Sequence, residues 1–233
     1  MAVYYFRNTG NSDWGIATNW SLTDGGPGDG AVPTSADDAY FTSNSGNCLL
    51  QTTNKTCSQL ITTGYNGTLT INSGIVLTTS SNITLSSTTT ITGAGILSLQ
   101  GGGDYTSNGA TLSVNTVRVN ATATFTLIDT WNVVNFGFQG SNAVLNGSIL
   151  NISGNLTLTA NTSAGTTQVN LTGTGSQTWS GNFTLQNNLT INKPSGAFVL
   201  SGTVQFGGNK TLTYTTAGSV TVTGSTLSIV SSC

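Results

Sequence analysis

Apolar and polar residues alternate one for one over short stretches of this chain, and one phrase keeps returning. Gly67-Thr-Leu-Thr-Ile71, Asn82-Ile-Thr-Leu85, Asn155-Leu-Thr-Leu158, Asn182-Phe-Thr-Leu185, Asn188-Leu-Thr-Ile191 and Lys210-Thr-Leu-Thr-Tyr214 are variants of it. A period of two puts every second side chain on the same face, so each stretch reads as a strand with one buried face. Gly, Asn and Ser fill the gaps, as in Gly93-Ala-Gly95, Gly101-Gly-Gly103 and Gly207-Gly-Asn209. Gly and Asn are the residues that accept the left-handed backbone of tight turns.

The spacing turns strands into an architecture. In the C-terminal half the alternations recur about every six to eight residues, and three such steps make about 20, one turn of a three-sided β-helix. The expected fold is all-β: a right-handed parallel β-helix, or β-solenoid, with an N-terminal cap region. A β-sandwich or jelly roll of antiparallel hairpins is the alternative, since it too has short strands with frequent turns. Leu, Ile, Val and Phe would stack inward, and Thr would suit the outer pleat. The run Phe125 to Phe138, which includes Trp131, breaks the rhythm and reads as a wider coil, a bulge or a surface patch.

Composition places a boundary. Residues 1–59 hold five of the seven Asp (Asp13, Asp24, Asp29, Asp37, Asp38), two of the four Trp and two of the three Pro. From Leu60 onward the chain is repetitive and nearly uncharged. This predicts a cap or attachment region over 1–59 and a solenoid over 60–233. Open strand edges at a solenoid's ends invite self-association, and the cap would cover one end. The other, Ser-Ile-Val-Ser-Ser-Cys233, has no amphipathic helix or charged residue, so a partner chain or self-association is expected there.

Charge narrows the chemistry. Only 5% of residues are charged, against about 25% in an ordinary domain, and there is no Glu or His. Abundant β-branched residues and three Pro argue against disorder. Five scattered Lys and Arg leave no footprint for nucleic acid. No apolar stretch approaches the roughly 18 residues of a membrane helix. The opening Met1-Ala-Val-Tyr-Tyr-Phe-Arg7 lacks a basic n-region, so no secretion signal is expected. Yet the Thr, Ser, Asn and Gly content is in the style of an exported surface protein. That combination leaves an unusual export route, a clipped chain, or a particle assembled in the cytoplasm and released by lysis.

Few side chains offer reactivity, and each has a plain structural reading. Cys48 and Cys57 are close enough in sequence to face each other across a hairpin; a disulfide and two buried thiols are both open readings. Two Cys without His do not make a zinc site. The loop Thr23-Asp-Gly-Gly-Pro-Gly-Asp-Gly30, followed by Asp37 and Asp38, carries the oxygen ligands that Ca²⁺ uses. Its spacing matches no calcium loop, and Asp in such turns bonds to nearby backbone, so no metal or cofactor is expected. Asp104 and Asp129 lie about one coil apart, with Arg118 between them in sequence. Glycoside hydrolysis needs two carboxylates about 5–9.5 Å apart, but no His, Lys or aromatic cluster accompanies these, and no catalytic residue is expected. The Thr pairs 88/90, 122/124, 157/159, 211/213 and 221/223 resemble ice-binding arrays but are unevenly spaced. Asn-x-Ser/Thr sequons at Asn19, Asn54, Asn120 and Asn170 are expected by chance in such a composition. Trp14 and Trp20 suit sugar stacking, but in a small apolar cluster they read first as core.

The series Tyr4-Tyr-Phe-Arg-Asn-Thr-Gly10, Asp13-Trp-Gly, Ala17-Thr-Asn-Trp-Ser21, Val32-Pro-Thr-Ser-Ala-Asp-Asp38 and Ser45-Gly-Asn-Cys48 resembles an N-terminal module of uncharacterised bacteriophage proteins. Related phrases open bacterial surface β-helices. The resemblance covers about the first quarter of the chain and brings no catalytic residues with it. It implies a non-enzymatic, virion-associated β-helical protein: a capsid decoration, head fibre or tail fibre component. Implied partners are capsid or tail proteins, further copies of the chain as a trimer, and host surface glycans. Tyr4, Tyr5, Phe6, Trp14 and Trp20 are the expected particle-docking residues. A polysaccharide-degrading β-helix enzyme and a bacterial surface adhesin or filament subunit are the alternatives, the latter placing the chain at the cell surface.

Overall fold

The computed structural model describes residues 1–7, 10, 12–207, 209–215, 220–222 and 226–230; Cys233 and Thr223 lie outside them. The chain is a parallel β-solenoid of about nine turns. It divides into two compact units, Met1–Thr116 and Val117–Cys233.

The first unit holds β1 (Val3–Phe6), β2 (Trp20–Ser21), β3 (Asp38–Thr42), β4 (Cys48–Leu50), β5 (Lys55–Cys57), β6 (Leu60–Thr63), β7 (Thr68–Ile71), β8 (Val76–Thr79), β9 (Ile83–Thr84), β10 (Thr90–Leu99) and β11 (Gly103–Thr106). It also holds most of β12 (Thr111–Val119) and a short 3-10 turn, Ala17–Asn19. One sheet runs β11-β9-β6-β3-β1-β2. Among the described residues its pairings are parallel except β1 with β2, which is antiparallel and forms its edge. A second sheet stacks β4, β7 and the first part of β10, and β5, β8 and the last part of β10. Three strands therefore make each coil, and in the third coil two of them join through the corner Gly93-Ala-Gly95. At that corner Gly93 has φ +108°, and a Cβ on Gly95 would crowd the Ile71 side chain and the Asn72 and Ile75 carbonyls. A Cβ on Gly101 would lie 1.6 Å from the Ser80 carbonyl oxygen of the preceding coil, so only Gly allows that approach.

Parallel pairing already includes β3, β4 and β5. The first full coil thus begins at Asp38, inside the segment 1–59 expected to be cap.

The second unit holds β13 (Thr124–Leu127), β14 (Trp131–Val133), β15 (Asn135–Phe138), β16 (Val144–Gly147), β17 (Ile149–Ile152), β18 (Leu156–Leu158), β19 (Gln168–Leu171), β20 (Gln177–Ser180), β21 (Thr184–Leu185), β22 (Asn188–Ile191), β23 (Phe198–Ser201), β24 (Thr203–Gly207), β25 (Leu212–Tyr214), β26 (Val220–Val222) and β27 (Thr226–Val230). Its parallel stacks run β14-β17-β19-β22-β25, β15-β18-β20-β23-β26 and β21-β24-β27, with β13 beside β16.

Register offsets between coils lie between 19 and 23 residues. Trp131 pairs with Leu150, Leu69 with Ile91, and Leu156 with Trp179. The alternation in the sequence becomes ladders of buried side chains, such as Trp131-Leu150-Val169-Leu189 and Phe136-Leu156-Trp179-Leu200. Each fully buried Leu or Val contributes about 1.5–3 kcal/mol over leaving it in water. The Phe125–Phe138 run is regular: Phe125, Leu127, Trp131, Val133, Phe136 and Phe138 all point inward on β13, β14 and β15. It is an aromatic-rich stretch of ordinary coil, and these six offer no surface.

Asn has a specific task at the coil corners. The side-chain oxygens of Asn47, Asn54, Asn82, Asn135, Asn146, Asn155, Asn161, Asn182 and Asn188 accept the backbone N–H of Thr68, Val76, Asp104, Asn155, Thr166, Thr178, Thr184, Thr203 and Thr211 respectively, at 2.7–3.0 Å. Each bond satisfies a donor at or near the start of a strand on the next coil. This is why Asn opens so many copies of the recurring phrase.

Candidate attachment surface

The cap is built on a cluster of rings. Phe6 packs on Phe41 with centroids 5.2 Å apart, Trp20 meets Phe6 at 5.1 Å and Trp14 at 4.8 Å, and Phe41 meets Tyr65 at 5.2 Å. Trp20 Nε1 donates to the Trp14 carbonyl at 2.8 Å. Phe6, Trp14 and Trp20 are at most 1% exposed. That corrects the docking expectation for these three: they are core, with no surface for a partner to touch.

The other two expected residues differ. Tyr4 and Tyr5 are half-buried. Tyr5 stands in register with Tyr40 on β3, and their rings lie 5.3 Å apart at 44°. The same rank continues to Ser21 on β2 and Ile61 on β6. Burial, the nearby Asp38 carboxylate and Tyr5 raise the Tyr40 hydroxyl above its ordinary value, so it stays neutral through physiological pH. The result is an uncharged aromatic step on the outer face of the cap sheet. Sequence reasoning found Tyr5 but missed Tyr40; the signal was the alternation in Asp38-Ala-Tyr-Phe-Thr42, which puts Tyr40 opposite Phe41.

The cap carboxylates hold the chain in shape. Asp37 accepts the N–H of Ala2 and both the N–H and hydroxyl of Thr34, and these bonds hold it below the ordinary carboxylate value. Asp29 accepts the Leu22 N–H and the Ser21 hydroxyl; the Leu22 bond is the largest cause of its lowered value. Asp24 binds Thr42 and Asn44, Asp13 binds Gly15 and Gln51, and Asp38 binds Gln59. Arg7 donates through Nε to the Gly26 carbonyl and through Nη1 to that of Thr18. The Gly-rich loop packs so closely that a Cβ on Gly28 would lie 2.4 Å from the Thr18 oxygen. Among the described residues no three His, Cys, Asp or Glu converge as a metal site.

Asp104 is exposed on β11 in the first unit; Asp129, half-buried, and Arg118 belong to the second. The Thr pairs do not form one continuous Thr rank: Thr157 pairs with Ser180, and Thr190 stands between Asn170 and Thr213. Cys48 and Cys57 are free, buried thiols on β4 and β5. These strands do not form the expected hairpin: each stacks on the next coil, Cys48 beside Leu69 and Cys57 beside Thr79. Burial pushes both thiols up, which keeps them protonated.

One buried charge escaped the sequence reading. Lys193 Nζ donates to the carbonyls of Gly173 and Gly175 and to Gln177 Oε1 at 2.7–2.9 Å. Gln177 Nε2 in turn donates to Ile152 and Gly154. The pair ties three successive coils of the second unit together. Burial lowers the Lys193 value. No helix of the described residues is long and apolar enough to cross a membrane. No family model, curated protein or solved structure matches the chain.

Proposed function

We propose that this chain is a non-enzymatic structural element of a bacteriophage particle, a decoration or fibre component whose cap attaches it and whose coils form a rigid, glycan-contacting surface. The observation that carries the reading is the division of labour in the cap. Its five carboxylates bond to the fold itself, while Tyr5 and Tyr40 stand outward as an uncharged pair. Half-exposed tyrosines are favoured where one face is dry and the hydroxyl remains wet, which is the situation at protein interfaces. The sequence resemblance of the first 48 residues supplies the particle. Capsid or tail proteins are the partners, with self-association into a trimer, and many weak polar contacts from Thr, Ser and Asn would add up on a repetitive glycan surface.

Mass spectrometry of purified virions tests this. The chain is expected among the particle proteins, and Tyr5→Ala with Tyr40→Ala is expected to leave folded protein that no longer copurifies with particles. Absence of the wild-type chain from virions overturns the reading.

A further inference from the structure

The chain contains three Asn-Gly pairs, and the fold treats them differently. Asn-Gly is the dipeptide most prone to deamidation, because Gly does not shield its own backbone nitrogen. That nitrogen attacks the Asn side-chain carbonyl, ammonia leaves, and a cyclic succinimide forms. Water then opens the ring to Asp or isoaspartate. The side chain must swing free and the Gly nitrogen must be available.

At Asn146-Gly147 both requirements fail. Asn146 Oδ1 accepts the N–H and hydroxyl of Thr166, and the Gly147 N–H donates to Thr166 Oγ1 at 3.0 Å. At Asn108-Gly109 the Asn side chain donates to the Leu85 carbonyl at 2.7 Å, and its backbone sits at φ +47° in a tight turn. Asn66-Gly67 has neither restraint. Asn66 is exposed in the loop between β6 and β7, and no hydrogen bond holds its side chain or the Gly67 N–H among the described residues. The chain on either side is nevertheless fixed. The Tyr65 carbonyl accepts the hydroxyls of Ser86 and Thr88, and the Thr68 N–H donates to Asn47.

We infer that Asn66 is a self-modifying site of the folded protein, converting to Asp or isoaspartate while Asn108 and Asn146 are protected. Conversion adds a negative charge to a nearly uncharged coil. The isoaspartyl product also inserts one backbone methylene between two anchored positions, which strains the Asn47–Thr68 corner.

Native protein aged at mildly alkaline pH, then digested with chymotrypsin and sequenced by mass spectrometry, tests the inference. Asn66 is expected to convert on the order of tenfold faster than the other two for each hydrogen bond they must break. In denaturant the three rates are expected to converge, which separates protection by the fold from sequence effects. An Asn66→Gln variant is expected to lose the early charge change on isoelectric focusing. Equal rates at all three sites in native protein, or an intact Asn66 where the denatured chain converts, overturns the inference.

Discussion

The cap and the coils solve the same problem with different chemistry. Backbone donors outside regular ladders need acceptors. In residues 1–37 ionised carboxylates supply several of them, as Asp37 does for Ala2 and Thr34 and Asp29 does for Leu22. Along the coils the acceptor is a neutral Asn oxygen, found nine times among the described residues at 2.7–3.0 Å. The cap is an irregular, one-off structure in which each Asp meets a different partner. The coils repeat, so one uncharged device serves throughout and brings no like-charge stacking at the close spacing of adjacent strands. The difference teaches where pH and mutation should be felt.

The largest effect should come from the cap core. Trp20→Ala is expected to cost about 3–5 kcal/mol, with hydrogen exchange showing lost protection in β1 to β3 while β17, β19 and β22 keep theirs. Loss of protection in all of them would erase the distinction between the regions. Next comes the clip in the second unit. Lys193→Ala leaves three oxygens without their donor and is expected to cost about 3 kcal/mol in urea unfolding, whereas Lys193→Arg should recover part of it. A smaller effect belongs to single corners: Asn182→Ala or Asn188→Ala is expected to cost about 1 kcal/mol each, with the same value at neutral and acid pH.

The sharpest test of the contrast is acid. Asp29 and Asp37 have folded values below the ordinary 3.8. Their contribution is therefore fully present above the unfolded value and is lost as pH falls through the lowered folded values. Fluorescence of Trp14 and Trp20, read in a Trp131→Phe, Trp179→Phe background, should report loosening below about pH 4, before amide exchange in the coils changes. In an Asp37→Asn variant the acid dependence should shrink. The smallest change is Tyr5→Ala, expected to cost no more than about 1 kcal/mol, the loss of its cross-strand ring contact with Tyr40; its consequence lies in attachment.

Much of this architecture was legible because alternation and spacing are local properties. The Leu and Ile of Asn188-Leu-Thr-Ile191 point inward as a period of two requires, and the expected step of about 20 matches offsets of 19 to 23. The first coil escaped notice because β4 and β5 are three-residue strands without the recurring phrase. Asp38 opening β3 looked like loop chemistry, yet it is buried and bonded to Gln59. Phe125 to Phe138 looked like an interruption because ring size stood out more than position. The candidate surface was half legible. Tyr5 lies in a motif, but its pairing with Tyr40 depends on a contact 35 residues away in sequence, which no local pattern encodes. Lys193 was opaque for the same reason.

The Asn corners carry a direction as well as an energy. In all nine, the acceptor belongs to the earlier coil and the donor to the later one, about 21 residues on. A chain synthesised from its N-terminus meets a finished coil whose amide oxygens already mark where the next strand begins. Assembly can then proceed as growth on a template, each turn of chain closing one short loop against a surface that is already in place.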